Sequence, residues 1–362
     1  MLLARRLAPM RKSVVFTQSS PRTPFTIVRY KSASWVETMP PAALKPTLTP
    51  VFSLKSYIAL HITYALYSEA MRKKAIEEKK MENDMQKALE NQEFKLYLQP
   101  QVDLKTKKIV SAEALVRWID SEKGMIPPFK FIPLFERNGF ICRLDYFIWE
   151  ESIKTLVKWR ENSQMMVPIS INLSRIDIQK EGWIESIVQL FEKYAMSSKW
   201  VKAEVTESAC LENDKIIMEK MELLKKHGLK IAIDDFGSGY SSLHMLKEMP
   251  IDILKIDKSF LNYQREMNEK DEILIRDVVN LGKHLKMQIL VEGVETLEQS
   301  DFLEGIGCDI VQGYYYGRPV PVAEFEQLLK ENYGIRVNEE KYTVFYSVFA
   351  SNMMPDVTVV EK

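Results

Sequence analysis

The residues of this chain best suited to chemistry are acids. Glu113 lies in EALVR, Glu204 and Glu207 in AEVTE, Asp234 and Asp235 side by side before FGSG, and Glu292 and Glu295 in VEGVE. Asn172 in INLS, Lys255 and Asp257 in LKID and Gln312 in QGY complete the set. Each follows or ends a short apolar run. Singly, each has an ordinary explanation. An Asp or Glu after a strand often caps the next helix, and a lone Lys or Arg is usually a solvated surface charge. Together they are harder to dismiss, because gathering so many carboxylates is costly without cations. Lys255 and Arg117 cannot neutralise them all. Divalent metals can, and carboxylate, amide-oxygen and water ligands suit Mg²⁺ or Mn²⁺. None of the four histidines (His61, His227, His244, His284) falls at a strand end, and Cys142, Cys210 and Cys308 form no CxxC pair or disulfide framework. Two hard cations among carboxylates suit phosphoester hydrolysis: one acidifies a water, and the pair stabilises the attacking and leaving oxygens. Arg117, four residues after Glu113, can hold a phosphate by its planar fork.

Such residues need elements that bring them to one place. From Phe94 onward, short apolar runs alternate with amphipathic stretches. The runs Phe94–Gln99, Ile109–Leu115, Pro168–Leu173, Val201–Val205, Lys230–Ile233, Ile253–Ile256, Gln288–Val291 and Ile310–Gln312 are expected strands. Asp145–Asn162, Ile178–Tyr194, Asp214–His227, Asp271–Leu285 and Leu297–Gly305 are expected helices. Eight alternating strands over this length predict an α/β fold, a TIM-like (β/α)8 barrel, whose chemistry gathers at the strands' C-terminal ends. No glycine fingerprint follows the first strand, which argues against a dinucleotide-binding sheet. The loop Phe236–Leu243 (FGSGYSSL) has glycines that permit a tight turn near a ligand, and Ser241 or Ser242 can cap the next helix.

In order along the chain, LYLQP, EALVRW, FIPLFE, INLS, AEVTE, DDFGSGYSSL, LKIDKSF, VEGVET and QGYYYGRP occur between about Asn83 and Glu331. This ordered set resembles the EAL-domain phosphodiesterases, which hydrolyse the bacterial second messenger cyclic di-GMP to linear pGpG. The resemblance implies a barrel with one strand antiparallel to the others, so the first strand is expected to run against the rest. It implies two Mg²⁺ or Mn²⁺ ions per site. Glu113, Asn172, Glu204 and Asp234 would hold one, and Asp235 and Glu292 would complete the second, with Asp234 shared. Lys255 would orient the nucleophilic water, and Gln312 would support the water shell. Glu207 would anchor the loop Phe236–Ser242, which couples metal binding to dimerisation in the family. Glu295, and Asp257 beside the sixth strand, would support the site from outside it. Gln99, Leu115 and Arg117 match positions that touch the dinucleotide, and Glu136 in FIPLFE matches an acid near the pocket. Ser238 stands where the family usually has Thr, and Tyr97-Leu98-Gln99 departs slightly from the usual Tyr-Gln order. Neither removes a ligand. The alternative of another class is a cyclic di-GMP receptor without turnover; relatives of that kind usually lack ligands, and this chain lacks none.

The chain has 362 residues and zero formal net charge, with 46% hydrophobic and 28% charged residues. That is ordinary for a globular protein and argues against binding a nucleic-acid polymer through a global basic field. The zero is an average. Met1 to Val36 holds seven basic residues and no acid, so the remainder carries −7. Residues 1–50 are proline-rich and basic, and are expected to be a disordered leader. Their Arg- and Ser-rich composition also fits an organelle transit peptide, whereas the resemblance predicts the bacterial cytoplasm. Residues 51–92 are expected to form a helical linker. Val51–Tyr67 is too short and interrupted to span a bilayer and is expected to be an amphipathic or packing helix. Ser68–Gln92 reads as an exposed helix of strong helix formers. Many relatives carry a GGDEF domain before the EAL domain; no GGDEF motif occurs here, and Ala65–Leu89 resembles the end of such a domain plus its linker. The barrel is expected over 93–335, with 336–362 as a tail. A homodimer is expected from the resemblance.

Overall fold

A computed structural model describes residues 14–17, 26–29, 64–67, 69–162, 165–210, 215–238, 243–261 and 269–331. The chain divides into two compact units, Met1–Gln86 and Lys87–Lys362. In the first, β1 (Val14–Thr17), β2 (Thr26–Arg29) and β3 (Tyr64–Tyr67) form a small sheet in the order β2-β1-β3. Tyr64–Tyr67 is therefore a strand where an amphipathic or packing helix was expected; tyrosines suit a pleated surface better than a helix. The rest of the expected leader, residues 51–63 and the tail from residue 332 lie outside the described residues. The helix Glu69–Glu90 matches its expectation. It has no Gly or Pro and its side chains are mostly exposed.

The second unit is a closed barrel. Its strands are β4 (Phe94–Asp103), β5 (Ile109–Asp120), β7 (Ile169–Asn172), β8 (Val201–Thr206), β9 (Lys230–Phe236), β10 (Ile253–Ile256), β11 (Gln288–Val291) and β12 (Ile310–Val311). Short β6 (Gly124–Ile126) and β13 (Val320–Pro321) flank them. From β5 to β12 every barrel neighbour pairs in parallel. β4 closes the ring, pairing antiparallel with both β5 and β12. The reason is local. A parallel return needs a crossover of a dozen or more residues, and only Leu104–Lys108 separates β4 from β5. Asp103 folds that turn by accepting hydrogen bonds from the Thr106 N–H and hydroxyl.

Helices cover the outside. Ile141–Glu161, Lys215–Lys226, Glu269–His284 and Leu297–Gly305 follow the expected segments within a few residues, whereas the expected Ile178–Tyr194 divides into Arg175–Gln179 and Trp183–Lys193, with Gly182 at φ +75° between them. Pro128–Asn138 and Val322–Glu331 are additional; FIPLFE lies in the first of these. Phe131 and Phe135 on Pro128–Asn138 pack with Phe94 and Trp118, at ring separations of 5.7–6.0 Å. Trp159 stacks on Phe325, fixing the C-terminal helix to Ile141–Glu161. The Phe131 and Phe135 contacts pack the helix Pro128–Asn138 against β4 and β5. Among the described residues, no helix is long and apolar enough to cross a membrane.

Candidate metal-dependent active site

Side chains on a strand alternate between faces, so residues two apart share the barrel interior. Eight strands each contribute one polar side chain: Gln99 from β4, Glu113 from β5, Asn172 from β7, Glu204 from β8, Asp234 from β9, Lys255 from β10, and Glu292 and Gln312 just beyond β11 and β12. Gln99 pairs opposite Glu113 and Asn172 opposite Glu204, whereas Glu113 pairs with Ser170 and Glu204 with Ala232, the stagger that closing a barrel requires. One step toward the barrel floor, Ala232, Ile253, Leu290 and Ile310 form a buried apolar cluster. The other half of the floor is polar: Gln101, Ser111, Ser170 and Lys202, all buried.

Lys255 is the centre. Its side chain is fully buried. Its Nζ lies 2.6 Å from Glu204, 2.7 Å from Asp234, 2.7 Å from Glu292 and 3.8 Å from Glu113. Burial opposes its charge, but the carboxylates, Asp234 foremost, outweigh burial and hold it well above its usual range. The acids feel the same burial without enough cations. Glu204 is pushed up to about 7 by burial, against the pull of Lys255. Asp235 is pushed up to about 6 by burial and then by Asp234. Glu292 is held well above its usual range, also by burial first.

Adjacent residues on a regular strand face opposite ways, so Asp234 and Asp235 should not share a site. A bulge brings them together. Between Leu254 and Ile256 of β10, the pairing on β9 moves from Ile233 to Phe236, which gives β9 one residue more. Asp235 takes up the excess with φ +56°, in the left-handed region that Asp tolerates better than most residues. Carboxylate oxygens of Asp234, Asp235 and Glu292 then lie within 4.8 Å of one another. Among the described residues, Glu204 Oε1 is buried with no hydrogen-bond partner. An all-oxygen donor set, an excess of buried negative charge and an unused carboxylate oxygen fit a hard divalent cation.

The neighbouring residues fall into three groups. Asn172 donates to Glu113 Oε1 at 3.4 Å, and Gln312 Nε2 donates to Glu113 Oε2 at 2.5 Å and to Gln99 at 3.0 Å, so these belong to the cluster. Leu115 and Arg117 share the face of Glu113 farther up β5, half-buried, with the guanidinium 5.6 Å from the Tyr97 ring centre. Burial lowers the Arg117 pKa, and Tyr314, Tyr97 and Glu113 oppose that shift. Glu207 is buried and accepts the Gly237 N–H at 2.8 Å, which ties down the start of the loop after the Asp pair; residues 239–242 lie outside the described residues. Asp257 caps its own turn through the Ser259 N–H. Two residues are not brought to the cluster by any contact described. Glu136 sits on the exposed side of its helix, its pKa raised by partial burial, near Asp145. Glu295 is exposed, and its backbone N–H donates to Gln299 Oε1 at 2.8 Å. The floor residues Gln101, Ser111 and Lys202 were missed by reading strand ends alone. The period-two pattern could have found them, since each lies two residues from a cluster member.

The EAL domain matches residues 82–319. The chain belongs to the EAL domain family. Glu113-Ala114-Leu115 on β5 spells the motif, beside the carboxylate cluster. A similar curated protein is the bifunctional diguanylate cyclase/cyclic di-GMP phosphodiesterase MucR of Pseudomonas aeruginosa, 33% identical over 266 residues, covering 74% of this chain and 38% of MucR. The cyclic di-GMP phosphodiesterase PdeR of Escherichia coli is 29% identical over 269 residues, covering 74% and 40%. The chain thus spans well under half of these relatives' lengths. Among solved structures, the phosphodiesterase of PaMucR in complex with c-di-GMP is similar with a TM-score of 0.65 and 32% identity, covering 68% of this chain and 99% of that one. The antiparallel first strand expected of an EAL barrel is the one observed as β4.

Proposed function

We propose that this EAL domain is a metal-dependent phosphodiesterase that opens cyclic di-GMP to linear pGpG. The observation that carries the reading is the convergence of Glu113, Glu204, Asp234 and Glu292 on buried Lys255, with Asp235 alongside. Glu113, Asn172, Glu204 and Asp234 would hold one Mg²⁺ or Mn²⁺, and Asp235 and Glu292, with Asp234 shared, a second. When bound, such ions acidify water and offset charge on the phosphate. The protein's own groups do the rest. Lys255 supplies a fixed ammonium that orients water against the scissile phosphate and stabilises the charge that develops there. Arg117, high on the same face as Glu113, grips a phosphate of the dinucleotide through paired donors. Gln99 and Leu115 shape its bed, and Glu136 lies at the outer margin. Gln312 holds Glu113 by its amide. Glu207 ties the loop that begins at Gly237, through which a homodimer would sense the site. Asp257 and Glu295 support the rim. Residues 93–335 form the working domain and 51–92 the linker to it.

The test is hydrolysis of cyclic di-GMP by the purified chain with Mg²⁺ or Mn²⁺, read as pGpG by chromatography. Glu113→Ala or Asp234→Ala should lower kcat at least about a hundredfold, since each removes charge stabilisation worth several kcal/mol. Cyclic di-GMP binding by calorimetry with no product under any metal would instead favour the receptor.

A further inference from the structure

Beneath the carboxylate cluster runs a chain of hydrogen bonds with a single direction. Lys202 Nζ donates to Ser111 Oγ at 2.8 Å. Ser111 Oγ donates to Gln101 Oε1 at 2.6 Å. Gln101 Nε2 donates to Gln312 Oε1 at 2.9 Å. Gln312 Nε2 donates to Glu113 Oε2 at 2.5 Å and to Gln99 Oε1 at 3.0 Å. Gln99 in turn donates to the Gly317 carbonyl at 3.1 Å. Lys202, Ser111, Gln101, Gln312, Gln99 and Glu113 are all less than one-tenth exposed.

The direction is dictated at both ends. An ammonium can only donate, and a carboxylate can only accept. Ser111 has to pass its proton donor onward, because its lone pair faces Lys202. The Gln101 oxygen must then meet Ser111, so its amide nitrogen faces Gln312. That turns the Gln312 oxygen down and its nitrogen up, against Glu113. A glutamine amide has two orientations of nearly equal shape, and only one suits Glu113; the other sets an oxygen against a carboxylate. Local low dielectric strengthens such a chain and makes each link depend on its neighbours.

We propose that Lys202 is a positioning residue that acts through Ser111, Gln101 and Gln312. From the barrel floor it selects the Gln312 amide orientation that fixes Glu113 for its metal. The proposal rests on the reading of Glu113 as a metal ligand. Groups that orient metal ligands typically change metal affinity or activity by about tenfold to a hundredfold when removed.

Three variants of the full chain test it: Lys202→Met, Ser111→Ala, and the two combined. Removing Ser111 alone strands a buried ammonium, so the combined variant, with both partners made apolar, is the one expected to fold most like the parent; circular dichroism checks this. Mn²⁺ affinity is measured by calorimetry without substrate, and kcat and KM with cyclic di-GMP. Each single variant is expected to weaken Mn²⁺ binding and lower kcat by about tenfold, with KM changed less than about twofold. The combined variant should be no worse than the worse single one, because the chain is cut only once. Mn²⁺ affinity equal to the parent's in the folded combined variant, or single effects that add in it, would overturn the proposal. Absence of hydrolysis by the parent chain would count against the phosphodiesterase reading, while the Mn²⁺ titrations would still decide the role of Lys202.

Discussion

Asp145 shows how strongly burial can shift a single carboxyl. Burial first, and then a hydrogen bond and charge from Asp177, hold its pKa well above the usual carboxylate range. Asp177 is itself buried and accepts the Ser174 hydroxyl at 2.7 Å, in the capping box that starts the helix Arg175–Gln179. The sign of the linkage follows. An unfolded Asp releases its proton near pH 4, whereas the folded one keeps it, so the folded state binds more protons above that pH. Stability contributed by this group is therefore present at low pH and declines as pH rises from about 4 to the raised folded value. Asp145→Asn removes the penalty. Thermal melts of the metal-free protein should show a higher Tm than the parent at neutral pH, with the gap closing as pH falls toward 4. A gap that stays constant across that range would show that Asp145 is not the group responsible. At the same scale, the acids at the strand ends were legible in the sequence, because residue type and strand position suffice to find them. The period-two pattern could place Lys202 and Ser111 on the inner face, but not show that they meet each other, since that contact joins strands distant in sequence.

Elements set the precision of the site, and two devices do most of it. The bulge in β9 turns Asp235 toward the position of Asp234. The close approach of the segments after β11 and β12 seats Gln312, with Val294 N–H donating to the Gln312 carbonyl at 3.0 Å. Gly313 permits that approach: a Cβ there would lie 2.1 Å from the Val294 carbonyl oxygen. Backbone cannot swing aside as a side chain can, so Gly313→Ala must push the two segments apart. The expected cost is about 1–3 kcal/mol or more, read as a lower Tm, together with a loss of kcat because Gln312 moves with its segment. A variant with parent-like Tm and kcat would contradict this reading of the contact. The positions of the eight barrel strands were predictable from apolar runs bounded by polar residues. The helix Pro128–Asn138 was not among the expected ones; Pro128 occupies its first turn, where the missing N–H costs nothing.

For the molecule as a whole, the boundary at Gln86/Lys87 assigns the entire carboxylate cluster to one compact unit. Removing residues 1–78 should therefore leave kcat and KM within about twofold of the parent, measured on cyclic di-GMP with Mg²⁺. A large loss would tie the N-terminal segment to catalysis. The uneven charge of the chain also takes on meaning at this scale. Part of the −7 carried beyond Val36 is concentrated in Glu113, Glu204, Asp234, Asp235 and Glu292, where bound divalent ions would reverse the local sign and favour an anionic phosphodiester. The sequence by itself determined the barrel and the identity of its acids, because alternation and spacing are local properties, while the reversed first strand was implied by the family resemblance and not by any pattern of residues. Only the tertiary structure decided that two adjacent aspartates face one site, that Glu136 and Glu295 stand outside the cluster's described contacts, and that a buried lysine on the floor connects to Glu113. Those outcomes depend on register and closure between strands distant in sequence, and a one-dimensional pattern does not carry that information.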